Sequence, residues 1–171
     1  MSDPKALIRT GALDWSQAWH GRHPFNPNSE MRSARLGDMA GMKRVPVNLL
    51  RVPPGKETFV PHAHSMEEEW AFVVEGAGVV TLDGVDHPIG AGDFIGFPTD
   101  GVIHQIRNTS GADLVYLTGG ERARVEVAHM PSLGKVAVFK DSTVTFYDPE
   151  GAETVTMEEW FARATIGDPA G

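Results

Sequence analysis

The chain has 171 residues, no cysteine, 15 Lys plus Arg against 23 Asp plus Glu, and a net charge of −8. That length suits one domain with its own core. The missing cysteines exclude disulfides, thiolate metal sites and cysteine nucleophiles, and the acidic balance excludes nucleic-acid binding by phosphate neutralisation. With 19 glycines and 12 prolines the chain is turn-rich without reaching a disordered composition.

Residues 1–44 read as an irregular N-terminal extension punctuated by Pro4, Pro24 and Pro27, with one helical turn expected over Asp14–His20. From Val45 to Tyr147, short apolar runs alternate with turn signals every 8–12 residues, the pattern of an all-β sandwich or barrel. The expected strands are Val45–Val52, Thr58–His64, Glu69–Glu75, Val79–Leu82, Val85–Ile89, Asp93–Phe97, Val102–Asn108 and Leu114–Thr118. Val125–Ala128, Lys135–Phe139 and Thr143–Tyr147 extend a sheet. Asp83-Gly84 marks a two-residue hairpin, because a type I′ turn needs positive φ twice. In the tail, 148–171, Met157, Trp160, Phe161 and Ala164 form a helical apolar stripe, and Thr156 with Glu159 forms a capping box.

No long apolar segment or cleavage signal opens the chain, and the most apolar stretch, Trp70–Leu82, is broken by Glu75 and two glycines. The expectation is a soluble, cytoplasmic protein with no membrane partner.

The chemistry concentrates in four residues. His62 and His64 lie two apart in a strand, so their side chains share one face. Glu69 opens the next strand, and His104 comes within reach if the strands close into a barrel. Three imidazoles and a carboxylate form a ligand set for one divalent transition metal ion: iron, manganese, nickel or zinc. Glu67 and Glu68 compete with Glu69 for the carboxylate role and otherwise read as solvated. His20, His23, His87 and His129 stand alone and read as surface histidines.

Gly55, His62, His64, Glu69 and Gly76 follow the order of the first cupin motif, with four residues between His64 and Glu69 and six between Glu69 and Gly76. Gly92-Asp-Phe-Ile-Gly-Phe-Pro98, Gly101, His104 and Asn108 follow the second, after a 15-residue spacer. Over about Asn48–Gly119 the sequence therefore resembles the cupin superfamily, in particular small single-domain bacterial cupins labelled sugar-phosphate-isomerase-like. The first motif has one extra residue before His62, and Pro98 and Gly101 bracket two residues instead of one; both changes fall in turns. The resemblance implies a double-stranded β-helix, or jelly-roll barrel, with the metal on His62, His64, Glu69 and His104. Members act as dioxygenases, decarboxylases, isomerases, lyases, and binding or storage proteins.

The expected function is a metal-dependent enzyme on a small oxygenated metabolite, dioxygenase-like chemistry slightly ahead of isomerase or lyase chemistry. The alternative is a non-catalytic, metal-dependent binding module. No catalytic residue beyond the ligands is assigned. Arg51 and Arg107 are the basic residues inside core strands, and Arg107 points away from His104, which argues against a phosphosugar. Asn108 is expected to tie a turn. Trp70, Phe72 and Val74 make the outer face of Glu69–Glu75 apolar, so a homodimer is expected, or cover from the flanking segments.

Overall fold

The computed structural model describes residues 4–99, 101–157 and 159. Its strands are β1 (Trp19–Gly21), β2 (Met31–Ala34), β3 (Val47–Val52), β4 (Ala63–His64), β5 (Glu69–Glu75), β6 (Ala77–Leu82), β7 (Val85–Gly90), β8 (Phe94–Phe97), β9 (His104–Arg107), β10 (Leu114–Gly120), β11 (Val125–Met130), β12 (Lys135–Lys140) and β13 (Thr143–Tyr147). One short helix, α1 (Leu36–Met39), links β2 to β3. Every pairing between strands is antiparallel.

The order β1-β2-β3-β10-β5-β8 makes a six-stranded sheet, and β7-β6-β9 and β13-β12-β11-β4 make two smaller ones. The core lies between the large sheet and the three-stranded sheet. Leu50, Val52, Ala71, Val73, Phe97, Leu114 and Tyr116 from the former meet Val80, Ile89 and Ile106 from the latter. This is the expected all-β barrel, and alternation places it: along β5, Ala71 and Val73 are fully buried while Phe72 and Val74 are exposed. Asp83 and Gly84 have φ of 48° and 82°, and Leu82 pairs with Val85 across them, as the hairpin signal required. Pro88, which has no N–H to give a ladder, sits on edge strand β7.

One N-terminal expectation needs correction. The segment before Val45 is not wholly irregular: β1 and β2 extend the large sheet, β2 pairing with β3 through Arg32–Arg51, Ser33–Leu50 and Ala34–Leu49. Met31 from β2 enters the core. Leu13, Trp15 and Leu36 pack over Ala34, Leu49 and Val115, covering the outer face of β3 and β10. This pairing is tertiary and leaves no long local period to read. The single turn expected over Asp14–His20 is present at its start, closed by Gln17 N–H donating to the Asp14 carbonyl at 3.0 Å, while Trp19 and His20 belong to β1.

Thr58–His64 is also not one continuous strand. Glu57 and His62 make single bridges and only Ala63–His64 runs as a ladder, because Pro61 has no N–H to sustain it. At the other end the capping box forms: Glu159 N–H donates to Thr156 Oγ1 at 3.1 Å, and Thr156 N–H donates to Glu159 Oε2 at 2.7 Å. Trp160, Phe161 and Ala164, the rest of the apolar stripe, lie outside the described residues. Among the described residues no helix is long and apolar enough to cross a membrane.

Candidate metal centre

The backbone delivers the three histidines to one point. His62 and His104 form an antiparallel bridge, with N–H to carbonyl distances of 3.1 and 2.8 Å, so their rings are cross-strand neighbours 4.5 Å apart. His64, two residues on, lies on the same side, 4.9 Å from the His62 ring. Glu69 at the start of β5 closes the group: its Oε2 is 3.2 Å from His64 Nε2 and 3.9 Å from His104 Nε2. One ligand atom from each of His62, His64, Glu69 and His104 lies within 4.8 Å of every other.

The ring orientations are fixed from behind. His62 Nδ1 is 2.8 Å from the Val60 carbonyl, and His104 Nδ1 is 3.0 Å from the Val102 carbonyl. A carbonyl only accepts, so both rings carry their proton on Nδ1 and turn a lone pair on Nε2 inward. Nε2 of His64 and of His104 is buried with no hydrogen-bond partner. Buried nitrogens without partners are costly, and a cation among them removes that cost. The donor set, three nitrogens and one carboxylate oxygen, fits a divalent transition metal, so this cluster could hold one.

The electrostatics agree. Burial pushes the His62 pKa from 6.5 down to about 4, with His104 and His64 adding to the effect. Burial likewise lowers His104, against the Val102 hydrogen bond and Glu69. Burial opposes charge on His64 too, but Glu69, Glu126 and Glu67 outweigh it and raise its pKa. Glu69 is held below the ordinary carboxylate range: burial opposes its charge and the three histidines overcome that.

The cluster opens on a cavity of about 460 Å³ lined by His62, Glu69 and His104 together with Trp19, Arg35, Asn48, Tyr116 and Thr118. Tyr116 is fully buried, and burial raises its pKa, so it stays a neutral hydroxyl. Arg51 and Arg107 are not among the lining residues and are already paired, with Asp113 at 2.8 Å and Asp86 at 2.6 Å. Glu68 is exposed, as expected. Glu67 is half-buried rather than solvated: it accepts the Ala123 N–H at 2.6 Å and lines the cavity. Asn108 ties a turn, donating to the Val52 and Ala112 carbonyls and accepting from Ser110 N–H. None of the other four histidines joins the cluster.

Several residues at the site lie outside the sequence-based reading, among them Trp19, Arg35 and Glu126. Trp19 and Arg35 reach the cavity from the N-terminal segment, where sequence pattern shows no strands. Glu126 on β11 is buried behind His64. Its signal was available: it shares strand parity with Ala128 and Met130, a carboxylate on an otherwise apolar buried face.

Residues 48–119 match the cupin domain family. The chain thus carries a cupin domain over that stretch. The fold of the cupin-domain chain matches a protein from Acidithiobacillus ferrooxidans assigned as a sugar phosphate isomerase, with TM-score 0.84 and 29% identity over 89% of this chain and 97% of the other. A sugar phosphate isomerase of the cupin superfamily from Silicibacter pomeroyi matches with TM-score 0.72 and 29% identity, over 85% of this chain and 97% of the other. The oxalate-binding protein of Thermotoga maritima is 38% identical over 68 residues, which is 40% of this chain and 54% of that protein. The chain spans about half the length of the curated relatives it matches.

Proposed function

We propose that this cupin is a metal-dependent isomerase or lyase acting on a small, anionic, oxygenated metabolite such as a sugar phosphate or hydroxy acid. The carrying observation is the convergence of the buried Nε2 atoms of His64 and His104 on the Glu69 carboxylate, 3.2 and 3.9 Å away, beside an open cavity. His62, His64, Glu69 and His104 would hold the ion. When bound, the metal would supply Lewis acidity and a template for a chelating substrate.

The chain's own residues do the rest. Phe97 and the apolar core wall keep water from the reacting end. The Tyr116 hydroxyl, Asn48 and Thr118 offer neutral hydrogen-bonding groups along the wall. Arg35, at the N-terminal side of the cavity, supplies the cation that a phosphate or carboxylate needs. This reverses the sequence-based weighting against phosphorylated substrates, and the likeness to two proteins named as sugar phosphate isomerases supports the change.

A dioxygenase-like reaction is the second reading, favoured by a thiolate-free donor set that suits iron as well as zinc. The exposed apolar face of Phe72, Val74 and Phe94 supports a homodimer.

The test is to load purified protein with Mn(II), Fe(II), Ni(II) or Zn(II) and screen sugar phosphates, hydroxy acids and oxalate. Turnover is expected to depend on metal and to vanish in His104→Ala. Uptake of dioxygen with the Fe(II) form selects the dioxygenase reading, and tight metal-dependent binding without turnover selects a binding module. Undiminished metal in His64→Ala would reject the ligand assignment.

A further inference from the structure

Each imidazole of the cluster has a second nitrogen, and these are not treated alike. His62 and His104 donate Nδ1–H to the carbonyl two residues before them. His64 has no such carbonyl. Its Nδ1 is buried and makes no hydrogen bond to the described residues, and the Glu126 carboxylate lies beside it, with Oε1 3.4 Å away.

Glu126 is itself fixed. It is 3% exposed, and both carboxylate oxygens are held from behind, Oε1 by Ser65 N–H at 2.9 Å and Oε2 by Met66 N–H at 3.0 Å. Strand register explains the placement. His64 pairs with Ala128 across β4 and β11, so Glu126 sits diagonally from His64 on the same buried face, where Ala128 contributes only a methyl group. Two backbone donors aim a carboxylate at one ligand of the cluster and at neither of the other two.

Resting on the metal reading above, we propose that Glu126 is a positioning residue: it accepts the Nδ1–H of His64, fixes that ring with Nε2 inward, and makes His64 the most electron-rich imidazole of the centre. A carboxylate behind an imidazole raises its donor strength more than a carbonyl does, because the acceptor carries a full negative charge. The centre therefore has one strong and two ordinary imidazole ligands, a difference set by β11 and not by the motif that supplies the ligands.

The test uses the full chain, ¹⁵N-labelled at histidine and loaded with Zn(II), which is diamagnetic. Proton–nitrogen NMR reads each buried Nδ1–H directly. The expected spectrum has the His64 proton downfield of those of His62 and His104. In Glu126→Gln that one resonance should move upfield toward the other two, and the Zn(II) dissociation constant should rise about ten- to hundredfold. A purely structural role, holding Ser65 and Met66, would lower the melting temperature without moving a single imidazole proton. Three coincident Nδ1–H resonances in the unsubstituted protein would overturn the proposal, and that measurement does not need the variant to fold. So would a His64 resonance that Glu126→Gln leaves in place. Failure of Zn(II) to shift any histidine nitrogen would instead sink the metal reading itself, and this proposal with it.

Discussion

Phe97 stacks flat on His104, with ring centroids 3.9 Å apart and planes 12° from parallel. Phe97 is 4% exposed and sits opposite Glu69 in the β5–β8 ladder. One residue thus ties a ligand imidazole to the strand carrying the ligand carboxylate. With Nδ1 held by the Val102 carbonyl, the His104 ring has its plane set by Phe97 and its rotation set by the backbone.

Phe97→Leu keeps an apolar group of similar reach and removes the stacking surface. The expected stability cost is about 1 kcal/mol, as for other roughly volume-conserving core changes. Metal affinity should fall by about tenfold, since a support behind a ligand is lost and the ligand is not. Chelator competition and thermal melting measure the two effects separately. Unchanged affinity beside a lowered melting temperature would show that the stack serves only packing.

Acid should destabilise the protein once chelator has removed bound metal. His62 titrates at about 4 when folded, against 6.5 ordinarily, mainly through burial and then through His104 and His64. Below 6.5 the unfolded chain takes a proton that the folded chain refuses. The contribution of His62 is therefore complete above pH 6.5 and is lost as pH falls toward 4. His104, also lowered, acts with the same sign. Glu69, held low, loses its contribution as pH falls through the acid range. His64, raised, opposes them: it stabilises below 6.5 and stops doing so as pH rises through its own pKa. Between pH 6.5 and 4 the lowered histidines His62 and His104 carry the change, with Glu69 adding only at the acid end and His64 already protonated in both states, so the melting temperature should drop. His62→Gln should flatten that drop. A melting temperature constant across this range would show that these burial effects do not control stability.

The sequence made the barrel and the four-residue cluster legible because both depend on short-range order. Alternation along β5 put Ala71 and Val73 inside, Asp83-Gly84 set a hairpin, and the two-residue step from His62 to His64 put both rings on one side. Glu126 and Arg35 were not legible in the same way. Glu126 reaches His64 only through the register of β4 on β11, and Arg35 reaches the cavity only because β2 pairs with β3. Both pairings are non-local, and neither β2 nor β4 is long enough to show a period.

Arg35 should govern affinity for charged substrates. Its Nε is 3.0 Å from Asp38 Oδ2, which steadies the side chain and leaves other guanidinium N–H groups to face a ligand. The side chain is 67% exposed, so its effect is screened. Arg35→Ala should weaken a phosphorylated or carboxylated ligand about tenfold, or roughly 1.4 kcal/mol. A neutral polyol should bind as before and metal content should not change. Calorimetry on metal-loaded protein distinguishes these outcomes. Equal losses for charged and neutral ligands would mean that Arg35 only shapes the wall.

The exposed face of β5 and β8 should be a contact between two copies of the chain. Phe94 is 67% exposed, Phe72 38% and Val74 47%, and Trp70 stacks with Phe94 at 6.3 Å between centroids. The N-terminal segment covers the neighbouring β3–β10 region with Leu13, Trp15 and Leu36, yet Phe72, Val74 and Phe94 remain open. β8 is also an edge of the six-stranded sheet, so its face and its free backbone edge lie together. A two-fold arrangement would bury both on each copy, and a stable interface of this kind removes on the order of 1,200 Å² or more from water. Phe94→Glu places a charge at the centre of that face without touching the core or the cluster. Sedimentation should give about twice 18.5 kDa for the unsubstituted chain at micromolar concentration and a single-chain mass for Phe94→Glu, with circular dichroism unchanged. An unsubstituted chain sedimenting at 18.5 kDa throughout would show that this surface does not hold two copies together.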